Sequence, residues 1–141
     1  MGRVLGVDVG TVRVGLAVSD PGEVVATPVG AIPAAEEPAA LAAAVAAAAA
    51  EHGCRRVVVG LPRGMSGRDT ASTARARAVA RALGDEGLQV SLWDERLSSA
   101  EAERVLLAAG RRRGQRRTER DQVAAAIVLQ GWLDAQRRPR E

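Results

Sequence analysis

At 141 residues, 47% of them hydrophobic and 26% charged, the chain is long enough to bury a core and too apolar to be disordered over most of its length. A single cysteine, Cys54, excludes an internal disulfide framework, and a formal net charge of +3 is too small to identify a nucleic-acid partner by itself. The longest apolar run, 41–50, is mostly alanine and too short to cross a membrane, and the first residues lack the parts of a secretion signal, so a cytoplasmic, membrane-free protein is expected.

Residues 3–9 read as a buried strand, and Gly10-Thr11 supply a turn. Residues 13–18 and 23–32 read as two more strands, with Pro21-Gly22 turning between them, to close an antiparallel meander. An alanine-rich helix is predicted over 36–51, its acids at the end favoured by the helix dipole. A β-branched run over 56–60 is a fourth strand, 61–68 a Gly- and Pro-rich loop, 69–83 a helix and 88–93 a fifth strand. Ser98 and Glu101 form a capping box ahead of an apolar stripe, Ala102, Val105, Leu106 and Ala109, that Gly110 can end. An arginine-rich loop over 111–117 precedes a last helix over 119–136, and 137–141 reads as a flexible tail. The order predicts one α/β domain over 1–136: a mixed five-stranded sheet, three antiparallel strands followed by two parallel additions, with helices on both faces.

Three acidic positions stand out. Asp8 lies inside the first strand between Val7 and Val9, where an ionised carboxylate is costly unless paired or bound to a cation. Asp94 and Glu95 sit where the fifth strand ends, and Asp121 sits near the start of the last helix. Ligands bind such sheets beyond the ends of the central strands. If the first and fifth strands lie close together, these acids converge there, raise one another's pKa, and suit a hard divalent cation, Mg²⁺ or Mn²⁺. Each also has a plainer explanation. Asp8 can shape a hairpin, Asp94 and Glu95 can be solvated or paired with Arg96, and Asp121 can cap a helix three residues after Thr118. Spacing does not choose between Asp94 and Glu95.

From 111 to 120 the chain carries six arginines against one acid. Arg111, Arg112, Arg113, Arg116 and Arg117 can act as a clamp on phosphates, or as a solvated charge run. Arg63 and Arg68 flank a glycine-containing loop at the fourth strand's end and can add charge to it. Arg75, Arg77 and Arg81 read as a solvated helix face, His52 as a helix end, and Cys54, Trp93 and Trp132 as core. The chain has no lysine, asparagine, phenylalanine or tyrosine. That bias fits a GC-rich genome, so an all-arginine basic set carries little functional weight alone.

Four motifs in order, Gly6-Val7-Asp8-Val9-Gly10-Thr11, the run from Val58 to Gly67, Asp94-Glu95-Arg96-Leu97-Ser98-Ser99 and Asp121-Gln122-Val123-Ala124-Ala125-Ala126, resemble the YqgF/RuvX family. The resemblance spans about residues 3–134. It implies an RNase H-like bacterial nuclease, a pre-16S ribosomal RNA nuclease or a Holliday junction resolvase, with Asp8, Glu95 and Asp121 as the metal-binding acids. It also implies two-metal hydrolysis, Asp8 bridging the ions, that leaves a 5′-phosphate and a 3′-hydroxyl. Arginines stand in the loop before Asp121 where the family often has lysines. The partners implied are structured RNA or branched DNA, ribosomal precursor particles, and, for junction cleavage, a second copy of the chain. Two rivals differ in class. One is a non-catalytic RNA-binding assembly factor on the same fold. The other is an actin-like or sugar-kinase-like ATPase, suggested by Asp8-Val9-Gly10-Thr11, but that architecture needs two lobes.

Overall fold

A computed structural model describes residues 2–62, 67–97 and 117–137, the side chains of the last span from Val123 onward. The strands are β1 (Arg3–Val9), β2 (Arg13–Ser19), β3 (Ala26–Pro33), β4 (Cys54–Leu61) and β5 (Gln89–Asp94). The helices are α1 (Pro38–Glu51), α2 (Ala71–Asp85) and α3 (Arg117–Arg137), and a 3-10 turn, Glu95–Leu97, follows β5. The sheet order is β3-β2-β1-β4-β5. Pairs β1–β2 and β2–β3 are antiparallel, and β1–β4 and β4–β5 are parallel, which is the expected mixed sheet.

Strand alternation sorts the side chains into two cores. Leu5, Val7 and Val9 of β1, with Val57, Val59 and Leu61 of β4, pack with α1 and α2. Val4 and Val58 point the other way and pack under α3 against Ala125, Val128, Leu129 and Leu133. The helix runs antiparallel to β1. Its C-terminal half is tied to the β2–β3 region, where Gln130 Oε1 accepts from the Ala26 amide at 2.9 Å and Arg137 Nη1 donates to the Val24 carbonyl at 2.9 Å.

Element boundaries differ from the sequence expectation for local reasons. β3 begins at Ala26 because Asp20 Oδ1 accepts from the amides of Val24 and Val25, both at 2.8 Å, and takes them out of the ladder. Those bonds also hold the Asp20 carboxyl below its ordinary pKa. Helix α1 begins at Pro38, so Glu36 and Glu37 lie ahead of its first turn. Helix α3 begins at Arg117, which puts Thr118 and Asp121 inside it. Thr118 is therefore not the N-cap, and Asp121 does not stand at the third helical position. Arg75 is not on a freely solvated face, since it donates to the carbonyls of Ala35 and Glu36 and ties α2 to the segment before α1. The capping box and helix expected over 98–110 lie outside the described residues.

The segment between β4 and α2 is anchored at its helical end. Thr70 and Thr73 form a reciprocal capping box, and the buried Thr73 hydroxyl donates to the Pro62 carbonyl at 2.5 Å. Among the described residues no helix is long and apolar enough to cross a membrane.

Candidate active site

Asp8 shares a face of β1 with Val4 and Gly6, the face that α3 covers. On β5, Val90 packs toward α1 and α2, and Trp93 packs toward α3. Alternation along the strand therefore turns Asp94 away from α3, while Glu95, the first residue of the 3-10 turn, has its Cγ on the α3 side, beside Gly60 and Val128. The side chains follow. Asp94 is engaged by Arg96, whose Nη2 lies 2.6 Å from Asp94 Oδ2 and whose backbone amide donates to Asp94 Oδ1 at 2.9 Å. Glu95 instead meets Asp8, and the protonated Glu95 carboxyl donates a hydrogen bond to the Asp8 carboxylate.

The first and fifth strands lie close together, as expected, with the single strand β4 between them. The carboxyls meet across β4 because the residue there is Gly60. A Cβ built on Gly60 would stand 3.3 Å from Glu95 Cγ and 2.8 Å from Val128 Cγ2. The missing side chain is the space through which Glu95 reaches Asp8. Sequence reading passed over Gly60, although a glycine ending the run Val57-Val58-Val59 is the mark of a close approach inside a strand.

Burial is the largest cause that raises the Glu95 pKa. The Asp8 charge, the hydrogen bond to Asp8 and the Asp94 charge follow, and together they push it up to about 8. Arg96 offsets the Asp94 charge, and the Asp94 carboxylate in turn holds the Arg96 guanidinium above its ordinary pKa. In the metal-free protein at neutral pH the Asp8–Glu95 pair thus retains a proton. A cation held by these two carboxylates would have to displace that proton. We predict that the apparent affinity for Mg²⁺ or Mn²⁺, read by calorimetry, rises with pH by up to about tenfold per unit between pH 6 and 8 and then levels off. A flat profile over that range would remove Glu95 from the ligand set.

Asp121 lies in the second turn of α3, one turn before Ala125, whose carbonyl oxygen stands 3.0 Å from a Cβ built on Gly6. The N-terminal end of α3 is thus directed toward the Asp8 end of β1. Among the described residues no group of three acidic, histidine or cysteine side chains is assembled, and the Asp121 side chain is outside that set. Arg68 is exposed and follows Gly67, against which the Arg96 guanidinium lies, so Arg68 borders the turn that carries Glu95. Arg117 is the first residue of α3. Arg63, Arg111, Arg112, Arg113 and Arg116 lie outside the described residues.

A family model described as "RuvX: Holliday junction resolvase" matches residues 2–135. The chain belongs to the RuvX family. A relative from Clavibacter sepedonicus, named "Putative pre-16S rRNA nuclease", is 45% identical over 97% of this chain and 86% of its own length. Relatives of the same name from Pelotomaculum thermopropionicum and Myxococcus xanthus are 40% and 44% identical, over 90% and 91% of their own lengths. Among solved structures, Thermus thermophilus RuvC in complex with a Holliday junction substrate superposes with a TM-score of 0.59 at 21% identity, covering 96% of both chains. That likeness extends the RNase H-like fold to this RuvX chain. Membership of the RuvX family assigns the reaction class, hydrolysis of nucleic-acid ester bonds.

Proposed function

We propose that this RuvX-family protein is a metal-dependent endonuclease, a single catalytic domain over 1–136, that processes the 5′ end of pre-16S ribosomal RNA in the cytoplasm. The observation that carries the reading is the Asp8–Glu95 pair: two carboxyls pressed together on the face under α3, sharing a proton at neutral pH. Nothing about the fold rewards that arrangement, since burial and like charge both cost stability. A hard cation removes the cost, and an all-oxygen donor set fits Mg²⁺ or Mn²⁺. Asp8, Glu95 and Asp121 would hold the ions. When bound, such ions supply an activated water and stabilise the leaving oxygen of an in-line displacement.

The chain's own residues have separable roles. Asp8 and Glu95 provide the negative charge, and Glu95 gives up its proton as the site fills. The Asp94–Arg96 pair holds the 3-10 turn so that Glu95 faces inward. Arg63, Arg68, Arg111, Arg112, Arg113, Arg116 and Arg117 contribute positive charge for the phosphates around the cut. Precursor ribosomal particles are the natural setting for the RNA substrate.

The family description favours a second reading, cleavage of four-way DNA junctions, for which a symmetric homodimer would supply the two cuts. One assay separates the two. A labelled pre-16S 5′-leader RNA and a four-way DNA junction are incubated with the protein and Mg²⁺ or Mn²⁺, beside a chelator control. Cleavage of the RNA alone is expected. Cleavage of the junction alone would replace this reading with the second. Salt-sensitive binding without cleavage of either would favour an RNA-binding assembly factor.

A further inference from the structure

The N-terminal ends of the parallel strands, at the pole opposite Asp8 and Glu95, carry a feature the proposed chemistry does not use. Arg3 of β1 is in register with Cys54 of β4, and Arg56 of β4 with Gln89 of β5. Around them opens a hollow of about 490 Å³ lined by Arg3, Glu23, Gly53, Arg55, Arg56 and Gln89. Three guanidinium groups face one carboxylate. Arg56 Nη2 lies 2.7 Å from Glu23 Oε1 and donates to the Gly2 carbonyl at 3.1 Å, so its position is fixed. Arg3 and Arg55 are exposed, and among the described residues neither has an ion-pair partner. The hollow is thus a preformed wall with two uncompensated forks, a match for phosphate oxygens.

Its place relative to the candidate site selects the source of the phosphate. β5 is the last strand of the sheet, and it runs from Gln89 at the hollow to Asp94 beside Glu95. Arg3 and Asp8 are five residues apart on β1, about 17 Å along the strand. Because the two side chains leave opposite faces of the sheet and the path passes round its β5 edge, that distance is a minimum, at least about five steps of a base-paired strand at 3.4 Å each. A polynucleotide held at Asp8 and Glu95 and following the β5 side of the sheet brings a later phosphate to Arg3 and Arg55.

We infer that Arg3 and Arg55, braced by the Glu23–Arg56 pair, form a second phosphodiester-binding site that holds the substrate strand at least five nucleotides from the cut. The inference rests on the nuclease reading. It commits to the backbone of the polymer rather than to a free phosphate or nucleotide. Arg3 and Arg55 lie on the surface, so their replacement leaves the packing intact.

The test measures binding by fluorescence anisotropy with EDTA present, using RNA duplexes of 8 and 24 base pairs. Wild type is compared with the Arg3→Gln/Arg55→Gln and Arg3→Lys/Arg55→Lys variants. The expected result is a long-to-short affinity ratio that falls about tenfold in the glutamine variant and is largely restored by lysine, with a salt slope for the long duplex shallower by about 1–2. An unchanged ratio in the glutamine variant overturns the inference and leaves the nuclease reading standing. Displacement of the long duplex by low millimolar orthophosphate or AMP also overturns it, in favour of a small-anion site. Wild-type protein that binds neither duplex defeats both readings.

Discussion

A Glu95→Gln variant is expected to lose cleavage by at least about 10³-fold and yet, without divalent ions, to melt above the wild type at pH 7–8. The two effects have one cause. In the folded protein the Glu95 pKa is raised from its ordinary 4.5 to about 8, by burial first and by Asp8 second. A carboxyl raised in this way favours the folded state fully below its unfolded pKa. That contribution is lost as pH rises through the folded value. Between about pH 4.5 and 8 the metal-free wild type therefore loses stability with each unit, because its folded state binds a proton that the unfolded chain has released. Glutamine keeps the shape and carries no titration. The gain at pH 8, discounted for partial exposure, is about 1–3 kcal/mol, or several degrees in Tm by calorimetry in EDTA. Saturating Mg²⁺ should reverse the order, since only the wild type gains the ion's binding energy. A residue with a merely structural role predicts the opposite sign in EDTA. A Glu95→Gln protein that melts below wild type there would remove the argument for a shared, strained pair.

Gly6→Ala is expected to cost about 3 kcal/mol, while the same change at Gly84 should stabilise by about 0.5–1 kcal/mol. At Gly6 the added Cβ would stand 2.6 Å from Leu129 Cβ and 3.0 Å from the Ala125 carbonyl oxygen. Both belong to the rigid body of α3, so no rotamer change relieves the clash and the helix must lift off the sheet. Gly84 is exposed near the end of α2 with nothing within 4 Å of the new methyl, so only the benefit of a stiffer unfolded chain remains. Urea midpoints for the two variants read the difference directly. A Gly6→Ala protein within about 0.5 kcal/mol of wild type would mean that the helix is not seated on β1 as described. Because α3 carries Asp121, any displacement large enough to admit the methyl should also lower activity at full folding.

The two-residue period of the strands and the alternating order of elements were readable before any coordinates, and with them the mixed sheet and its helices on both faces. Convergence of acids was readable only in part. Asp8 announced itself as a charge inside an apolar strand. The choice of Glu95 over Asp94 depends on which face α3 covers, and α3 is separated from β5 by more than twenty residues that carry no register information. The residues alone left that choice open, and the resemblance to a family made it. What the structure adds is placement: Asp94 is paired with Arg96, and Glu95 meets Asp8 on the side that α3 covers. Gly60 escaped notice because its role is a gap, and a gap has meaning only once the side chains on either side are placed. The start of β3 escaped for a different reason. Val24 and Val25 have the composition of a strand, but the Asp20 side chain competes for their amides.

Helix α3 seals one face of the sheet with contacts made across the length of the chain: Gln130 bonds to Ala26 and Arg137 to Val24, more than a hundred residues earlier. During synthesis every strand leaves the ribosome before this helix does. The nascent chain can build its sheet and the α1–α2 layer early, while the other face, with Val4, Ala17 and Val58 and the Asp8–Glu95 pair, stays bare. Asp121, the third acid of the proposed set, arrives only with this helix. On the proposed assignment of Asp121, translation order would act as a safety catch: the chain would become able to cut only when the docking event that closes its second core has also delivered that acid.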